Sequence, residues 1–594
     1  MMRVACLASL IALSLPGIAA ATDPLRTVAE QSGFQRTGRY DEVIALCERF
    51  AKTFPEHVRC DAFGKTPEGR PMQYLVVSRS GAMTPEAARE KGLPVLLVQG
   101  GIHAGEIDGK DAGFQLLREL LTARKPDPAL EKLVLVFIPV FNVDGHERFG
   151  RWNRMNQRGP EEMGWRTTAQ NFNLNRDYLK AETPEMHAML GLMGHWDPVL
   201  YVDLHVTDGA QFEHDISIQV EPVHSGDATL RAAGRALRDD TAAALAKQGS
   251  LPLTFYPSFV VNDDPASGFA DTVAPPRFST GYMPLRNRFG LLVETHSWRT
   301  YPERVRTTRN TVLNLIHLTA ERGASWRQLQ AGADQRAAAL GGSEVPLDYH
   351  ATDKTRTIDF RGYAYTRTPS EISGVLMTRY DETKPQIWKI PLRDEVVPGT
   401  VVTAPKAGYI VPPAHARLVG EKLAAHGVQF QVIDTAQTKA PVSVFRANRV
   451  KFSSEPNESH HRATLEGAWK AESRDIAAGA LFVPLSQAKS RIAVHLLEPV
   501  AGDSLAAWGW FNGNFEQKEY MEEYVAEAIA RDMLKKDAAL AAEFNRKLED
   551  PEFAKDRFAR LSFFAQRHTS WDDQLNLYPV YRTDVVPAAV DANK

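Results

Sequence analysis

The chain has 594 residues, room for two or three domains at the usual domain size. Its 43% hydrophobic and 24% charged residues are the proportions of an ordinary globular protein. Lys and Arg number 70 against 73 Asp and Glu, with no long basic run, which argues against nucleic acid as the main partner.

In chain order, the first feature is an export pattern. Arg3 supplies a short positive start, residues 5–18 an apolar run interrupted by Pro16, and Ala19-Ala20-Ala21 an Ala-x-Ala cleavage site, so residues 1–21 are predicted to be a signal peptide. Cys6 lies too early for a lipoprotein processing site. No later segment reaches about eighteen apolar residues, so no membrane anchor is expected after cleavage, and the location is expected to be periplasmic or secreted. Cys47 falls in an amphipathic helical stretch, 40–53, and Cys60 in a short strand, 57–63. An even pair in an exported chain favours a disulfide over two buried thiols.

From residue 93 the pattern alternates strand and helix. Residues 93–98 are a continuous apolar run, the mark of a strand buried on both faces. Gly100-Gly101 turns the chain, and 107–121 has helical spacing. Residues 133–141, 199–204 and 290–293 read as further strands, and 307–328 as a closing helix. The fold class is therefore α/β, with a mixed, mostly parallel central sheet flanked by helices. After about residue 340 the chain turns β-rich, with short strands predicted at 345–349, 356–367, 386–390, 401–409, 429–433, 442–452 and 492–497. A helix is predicted at 416–426, and residues 518–560 are helical, most clearly at 520–534. The expected division is a catalytic unit at 22–335 and an accessory C-terminal unit at 336–594, with helices towards its end.

Four residues at strand ends carry the chemistry. His103 and Glu106 stand in Gly-Gly-Ile-His-Ala-Gly-Glu, His205 closes the run from 199, and Glu294 closes the run from 289. Two imidazoles and a carboxylate suit one Zn²⁺ per chain and leave a position for water. A carboxylate that is not a ligand serves such a site as general base, here Glu294.

This order of residues resembles the zinc carboxypeptidases of the carboxypeptidase A type, in a bacterial exported form. Further segments, which with the metal and base residues span roughly 40–325, carry the resemblance. Asn142-Val143-Asp144-Gly145 is similar to the family's Asn-Pro-Asp-Gly turn, Arg154-Met155-Asn156 to its Arg-x-Asn, Asn173-Leu174-Asn175-Arg176 to its Asp-x-Asn-Arg, and Glu182-Thr183-Pro184-Glu185 to its Ser-Glu-Pro-Glu. The resemblance implies that Arg154 polarises the scissile carbonyl and that Asn175 and Arg176 hold the substrate's terminal carboxylate. Arg158 competes with Arg154 for the first role. Asn173 stands where the family's Asp orients a ligand histidine, and its amide oxygen is expected to accept an Nδ1–H bond without charge. No tyrosine lies at the spacing of the family's substrate-capping phenol; Tyr282 either fills that role or packs. Arg286 and Arg288, in the stretch 258–288 expected to form the specificity pocket, hint at an acidic substrate.

The expected partner is a peptide or acyl-amino acid with a free carboxylate. A zinc carboxypeptidase is the leading function. A zinc amidohydrolase for small acyl-amino acids or cell-wall peptides is the second, and a binding protein with a decayed site the third. His214 with Asp215 lacks a third group, and His460-His461 sits in a polar loop, 453–462. Neither a phosphate-loop spacing nor a Gly-x-Ser-x-Gly nucleophile occurs.

Overall fold

The structure is a computed structural model that describes residues 23–588. The expected signal segment, 1–21, lies outside the described residues. An eight-stranded sheet organises the first half. Its strands, with one short strand outside it, are β1 (Val58–Lys65), β2 (Pro71–Val77), β3 (Val95–Gly100), β4 (Val134–Ile138), β5 (Leu200–Thr207), β6 (Ile216–Glu221), β7 (Pro252–Leu253), β8 (Phe269–Ala270) and β9 (Phe289–His296). The sheet order is β1-β2-β4-β3-β5-β9-β6-β7, and β8 joins another sheet. The central four, β4-β3-β5-β9, run parallel, while β1, β2 and β6 attach antiparallel. The sheet is mixed and its centre is parallel, as the unbroken apolar runs implied.

Alternate residues of these strands enter two cores. Leu96, Val98, Leu135, Phe137, Val202 and Leu204 pack with Leu116, Leu117 and Leu315 from the helices Asp108–Thr122 and Tyr301–Ala337. Leu97, Val136 and Tyr201 face the other way, onto Met186, Met189 and Met193 of the helix Pro184–Trp196. That second core continues into Val411, Val419, Leu423, Leu481 and Ile492 of the C-terminal region. The accessory region therefore closes one face of the central sheet's core. The division expected at 335/336 falls within the last turn of the helix Tyr301–Ala337.

Beyond that helix the chain is β-rich. A six-stranded sheet joins Gln431–Ile433, Ala480–Pro484, Gly408–Val411, Tyr581–Thr583, Gln437–Phe452 and Ala463–Ile476 in that order. A long hairpin, Arg356–Pro369 with Leu376–Arg393, takes β8 as a third strand. Helices from Glu523–Lys536 to Arg557–Ala565 gather around Phe544, Phe563 and Phe564. One predicted strand is wrong: 492–497 belongs to the helix Ser490–Leu497. Seven of that helix's eight residues are buried, so its sequence is apolar on every side and shows neither period. Cys47 and Cys60 are joined in a disulfide between the helix Tyr40–Thr53 and β1. Among the described residues no helix is long and apolar enough to cross a membrane.

Candidate metal centre and substrate cleft

The carboxyl ends of the parallel strands bring the candidate residues together. β3 ends at Gly100, and Gly101 takes a φ of 64°, a left-handed turn that glycine adopts without strain. The backbone N–H of Glu106 donates to the carbonyl of His103 at 2.9 Å, so the intervening turn points both side chains to one spot. A Cβ on Gly105 would stand 2.8 Å from the Gly164 carbonyl and 2.9 Å from Arg154 Cδ. Glycine there lets the segment carrying Arg154 close over the turn. His205 on β5 and Glu294 on β9 are direct register partners in the parallel ladder. All four residues are buried, between 3% and 7% exposed.

His103, Glu106 and His205 form the one group of potential metal-binding side chains found among the described residues, with one ligand atom of each within 4.8 Å of the others. His103 Nδ1 lies 3.0 Å from Glu106 Oε1, and His205 Nδ1 lies 2.9 Å from Oε2. At His103 the outer nitrogen indicates where the proton is. His103 Nε2 is 3.1 Å from Asn173 Oδ1, an oxygen that also accepts the Asn175 backbone N–H. Nε2 therefore donates, and burial pushes the His103 imidazole down to about 4, so its Nδ1 is a bare lone pair at neutral pH. This corrects the expected contact, since Asn173 meets Nε2 and not Nδ1. His205 Nε2 lies 3.0 Å from Asp203 Oδ1, in charge contact and off the line of a straight hydrogen bond. Burial acts to lower the His205 imidazole, but the Asp203 and Glu106 carboxylates outweigh it and hold it well above its ordinary range. Two imidazole nitrogens and a carboxylate converging in this way fit a divalent cation.

Glu106 is held from outside the cluster. Its Oε1 accepts from Arg154 Nη1 at 2.7 Å and its Oε2 from the Val206 N–H at 3.0 Å. Burial would raise its carboxyl, but Arg154 and His103 hold it well below the usual carboxylate range. Burial instead pushes Glu294 up to about 8, with His205 pulling the other way, and its Oε2 has no hydrogen-bond partner.

A cavity of about 700 Å³ opens from the cluster. Arg154, Asn175, Arg176 and Glu294 line it together with His103, Glu106 and His205. The Arg176 guanidinium lies over the Phe278 ring at 4.2 Å and, among the described residues, donates only to the Asn175 carbonyl, at 2.8 Å. Among the described residues no carboxylate lies within 4 Å of it. Burial, together with nearby Arg166 and Arg277, lowers its basicity. The Asn175 amide oxygen is buried and has no hydrogen-bond partner among the described residues. Arg158 lies elsewhere: it pairs with Glu382 at 2.7 Å and is absent from the cavity wall.

Two expectations fail on geometry. Tyr282 is fully buried, its hydroxyl 2.8 Å from His426 Nδ1, and it does not reach the cavity. Arg288 is locked between Asp197 and Asp334, and Arg286 is buried against the Met193 carbonyl, so neither reads a substrate. His214 serves backbone groups of Leu251 and Arg361.

Other wall residues were not singled out by sequence. Tyr256 stands on the wall with its hydroxyl 3.3 Å from Thr207 Oγ1, and the Glu294 carboxylate, with burial, raises its phenol. It lies on a loop after β7, and no periodicity marks it. Arg166 brings Nη1 to 3.4 Å from Glu106 Oε1, its backbone carbonyl held by Asn142 of the Asn-Val-Asp-Gly turn.

The accessory region reaches this site. Glu458, in the loop between the long strands Gln437–Phe452 and Ala463–Ile476, accepts the Asn173 N–H at 2.9 Å, and His460 meets Glu182 at 3.0 Å. Glu458 thus braces the residue that orients His103. Losing one such bond removes about 0.5–1 kcal/mol. Glu458→Ala should therefore weaken zinc binding roughly two- to fivefold, read by chelator competition. Unchanged affinity would show that the loop only packs.

Residues 43–248 match the zinc carboxypeptidase family. Carboxypeptidase A4 of Mus musculus is 32% identical over 133 residues, 21% of this chain and 30% of that protein. The inactive metallocarboxypeptidase ECM14 of Saccharomyces cerevisiae is 31% identical over 134 residues, again 21% and 30%. The chain thus spans about three tenths of the length of these relatives. The carboxypeptidase A of Helicoverpa armigera superposes with a TM-score of 0.36 at 16% identity, covering 50% of this chain and 75% of that one.

Proposed function

We propose, from the match of residues 43–248 to the zinc carboxypeptidase family, that the chain is an exported, zinc-dependent carboxypeptidase that releases C-terminal residues from peptides. His103, Glu106 and His205 would hold the metal. Zinc supplies, when bound, Lewis-acid polarisation and water activation near neutral pH. Glu294 takes the proton of the attacking water and returns it to the leaving amine. Arg154, whose Nη2 is tied to the Val206 carbonyl at 2.9 Å, stabilises the oxyanion. Arg176 grips the terminal carboxylate through paired charge-assisted bonds, with Asn175 beside it. Export is supported by the pattern in residues 3–21 and by the Cys47–Cys60 disulfide.

The observation that carries this reading is Arg176: a largely buried guanidinium with no carboxylate within 4 Å among the described residues, in the same cavity as the candidate metal cluster. Amidating the substrate's terminus leaves that cation unpaired, which costs ~2–5 kcal/mol by analogy with broken buried pairs. C-terminally amidated peptides should be cut at least about tenfold more slowly than free acids, and Arg176→Ala should erase most of that preference while zinc stays bound. Equal rates on acid and amide in the parent enzyme would turn the reading to an endo-acting peptidase or amidase.

The second reading, an amidohydrolase of small acyl-amino acids on the same scaffold, draws on the accessory loop at Asn173, which borders the site. A panel of blocked peptides beside acyl-amino acids separates the two by relative kcat/KM. A non-catalytic binding role, suggested by the inactive yeast relative, is disfavoured because the ligand set and Glu294 stand together.

A further inference from the structure

We propose that Asp203 is the positioning residue that supplies the charge behind the metal centre, acting through His205, and that Asn173 is its neutral counterpart behind His103. The proposal rests on the zinc reading above. Tyr201, Asp203 and His205 alternate along β5, so their side chains share one face of the strand. Each candidate ligand histidine turns Nδ1 inward and Nε2 outward, and each Nε2 meets one side-chain oxygen. For His103 that oxygen is the Asn173 amide at 3.1 Å; for His205 it is the Asp203 carboxylate at 3.0 Å.

The surroundings of Asp203 make its charge a matter of function. The side chain is wholly buried. Gln99 Nε2 donates to Oδ1 at 3.0 Å and Ser279 Oγ to Oδ2 at 2.7 Å, both neutral donors. Among the described residues no Lys or Arg side chain lies within 4 Å of it, and His205 is its one ionisable partner. A buried carboxylate without compensating positive charge is costly. Compensation is available along Asp203, His205 and a cation at the cluster. Glu106 differs, since Arg154 and Arg166 already stand against it. A carboxylate behind a ligand imidazole fixes the ring and raises its basicity more than an amide does.

The test is zinc affinity, measured on the full chain by chelator competition. Asp203→Asn is close to isosteric, and Ser279 Oγ can accept from the new amide, so the network can close without the charge. Its zinc affinity should fall about 10–100-fold, with thermal unfolding in excess chelator close to the parent's. Asn173→Asp in that background restores a carboxylate behind the other histidine and should recover at least part of the loss. Asn173→Asp alone should bind zinc at least as tightly as the parent, which keeps the idea testable should Asp203→Asn fold poorly. Zinc affinity of Asp203→Asn within about threefold of the parent overturns the proposal, as does a double variant no better than Asp203→Asn. If the parent binds no stoichiometric zinc, or binds it equally without His205, the metal reading itself has failed.

Discussion

Glu294→Gln should lower kcat by about 10²–10⁴-fold while one zinc per chain stays bound, because the substitution removes a proton acceptor and leaves the three ligands alone. Glu294 is the register partner of His205 on the neighbouring parallel strand, and its buried Oε2 has no hydrogen-bond partner among the described residues. Burial pushes its carboxyl up to about 8. Opposite charge beside a carboxylate favours its ionised form, so with His103, Glu106 and His205 holding a cation Glu294 would be available as a base near neutral pH. Steady-state kinetics with parallel metal analysis decides the matter. Activity within about tenfold of the parent would place the base elsewhere. Loss of zinc along with activity would mean that Glu294 holds the metal.

The second large effect is expected at His205. Its Nδ1 faces one oxygen of Glu106, as that of His103 faces the other, and removing it takes away one of three donors. His205→Ala should weaken zinc binding beyond the roughly 10–100-fold typical of losing an outer partner. A ligand bound only by the folded state stabilises it, by about 2.7 kcal/mol at a hundred times its Kd. A chelator should therefore lower the Tm of the parent and leave that of the variant nearly unchanged. Equal zinc content in the two proteins would remove His205 from the ligand set.

The two experiments separate two levels of the reading. The family match at residues 43–248 covers about a third of the chain, and one similar protein is named inactive. His205→Ala asks whether the cluster holds zinc, and Glu294→Gln asks whether the loaded site turns over.

The sequence by itself determined the strand-ending motifs and the class of the fold. Continuous apolar runs at 93–98, 133–141, 199–204 and 289–293 could satisfy their burial only between helices, which requires a largely parallel sheet centre. Gly100-Gly101, the His-x-x-Glu spacing and the strand-end positions of His205 and Glu294 are local features, and local features survive in a linear reading. Even the choice between a paired and a free cysteine leaned the right way, from parity and context. What the tertiary structure decided are the partners that come from far along the chain. Tyr282 looked near the site because it precedes Glu294 closely, yet its hydroxyl is spent on His426, 144 residues away. Arg286 and Arg288 are absorbed by buried contacts, and Tyr256 reaches the cavity from a loop that no spacing rule identifies. The helix Ser490–Leu497 was read as a strand because it is buried on nearly every side, and such a segment shows no period. The outer contacts of the candidate metal cluster, Asp203 behind His205 and Glu458 behind Asn173, depend on strand register and on the docking of the C-terminal region. Electrostatic and hydrogen-bond partners are set by distance in space, and a one-dimensional pattern records only separation along the chain.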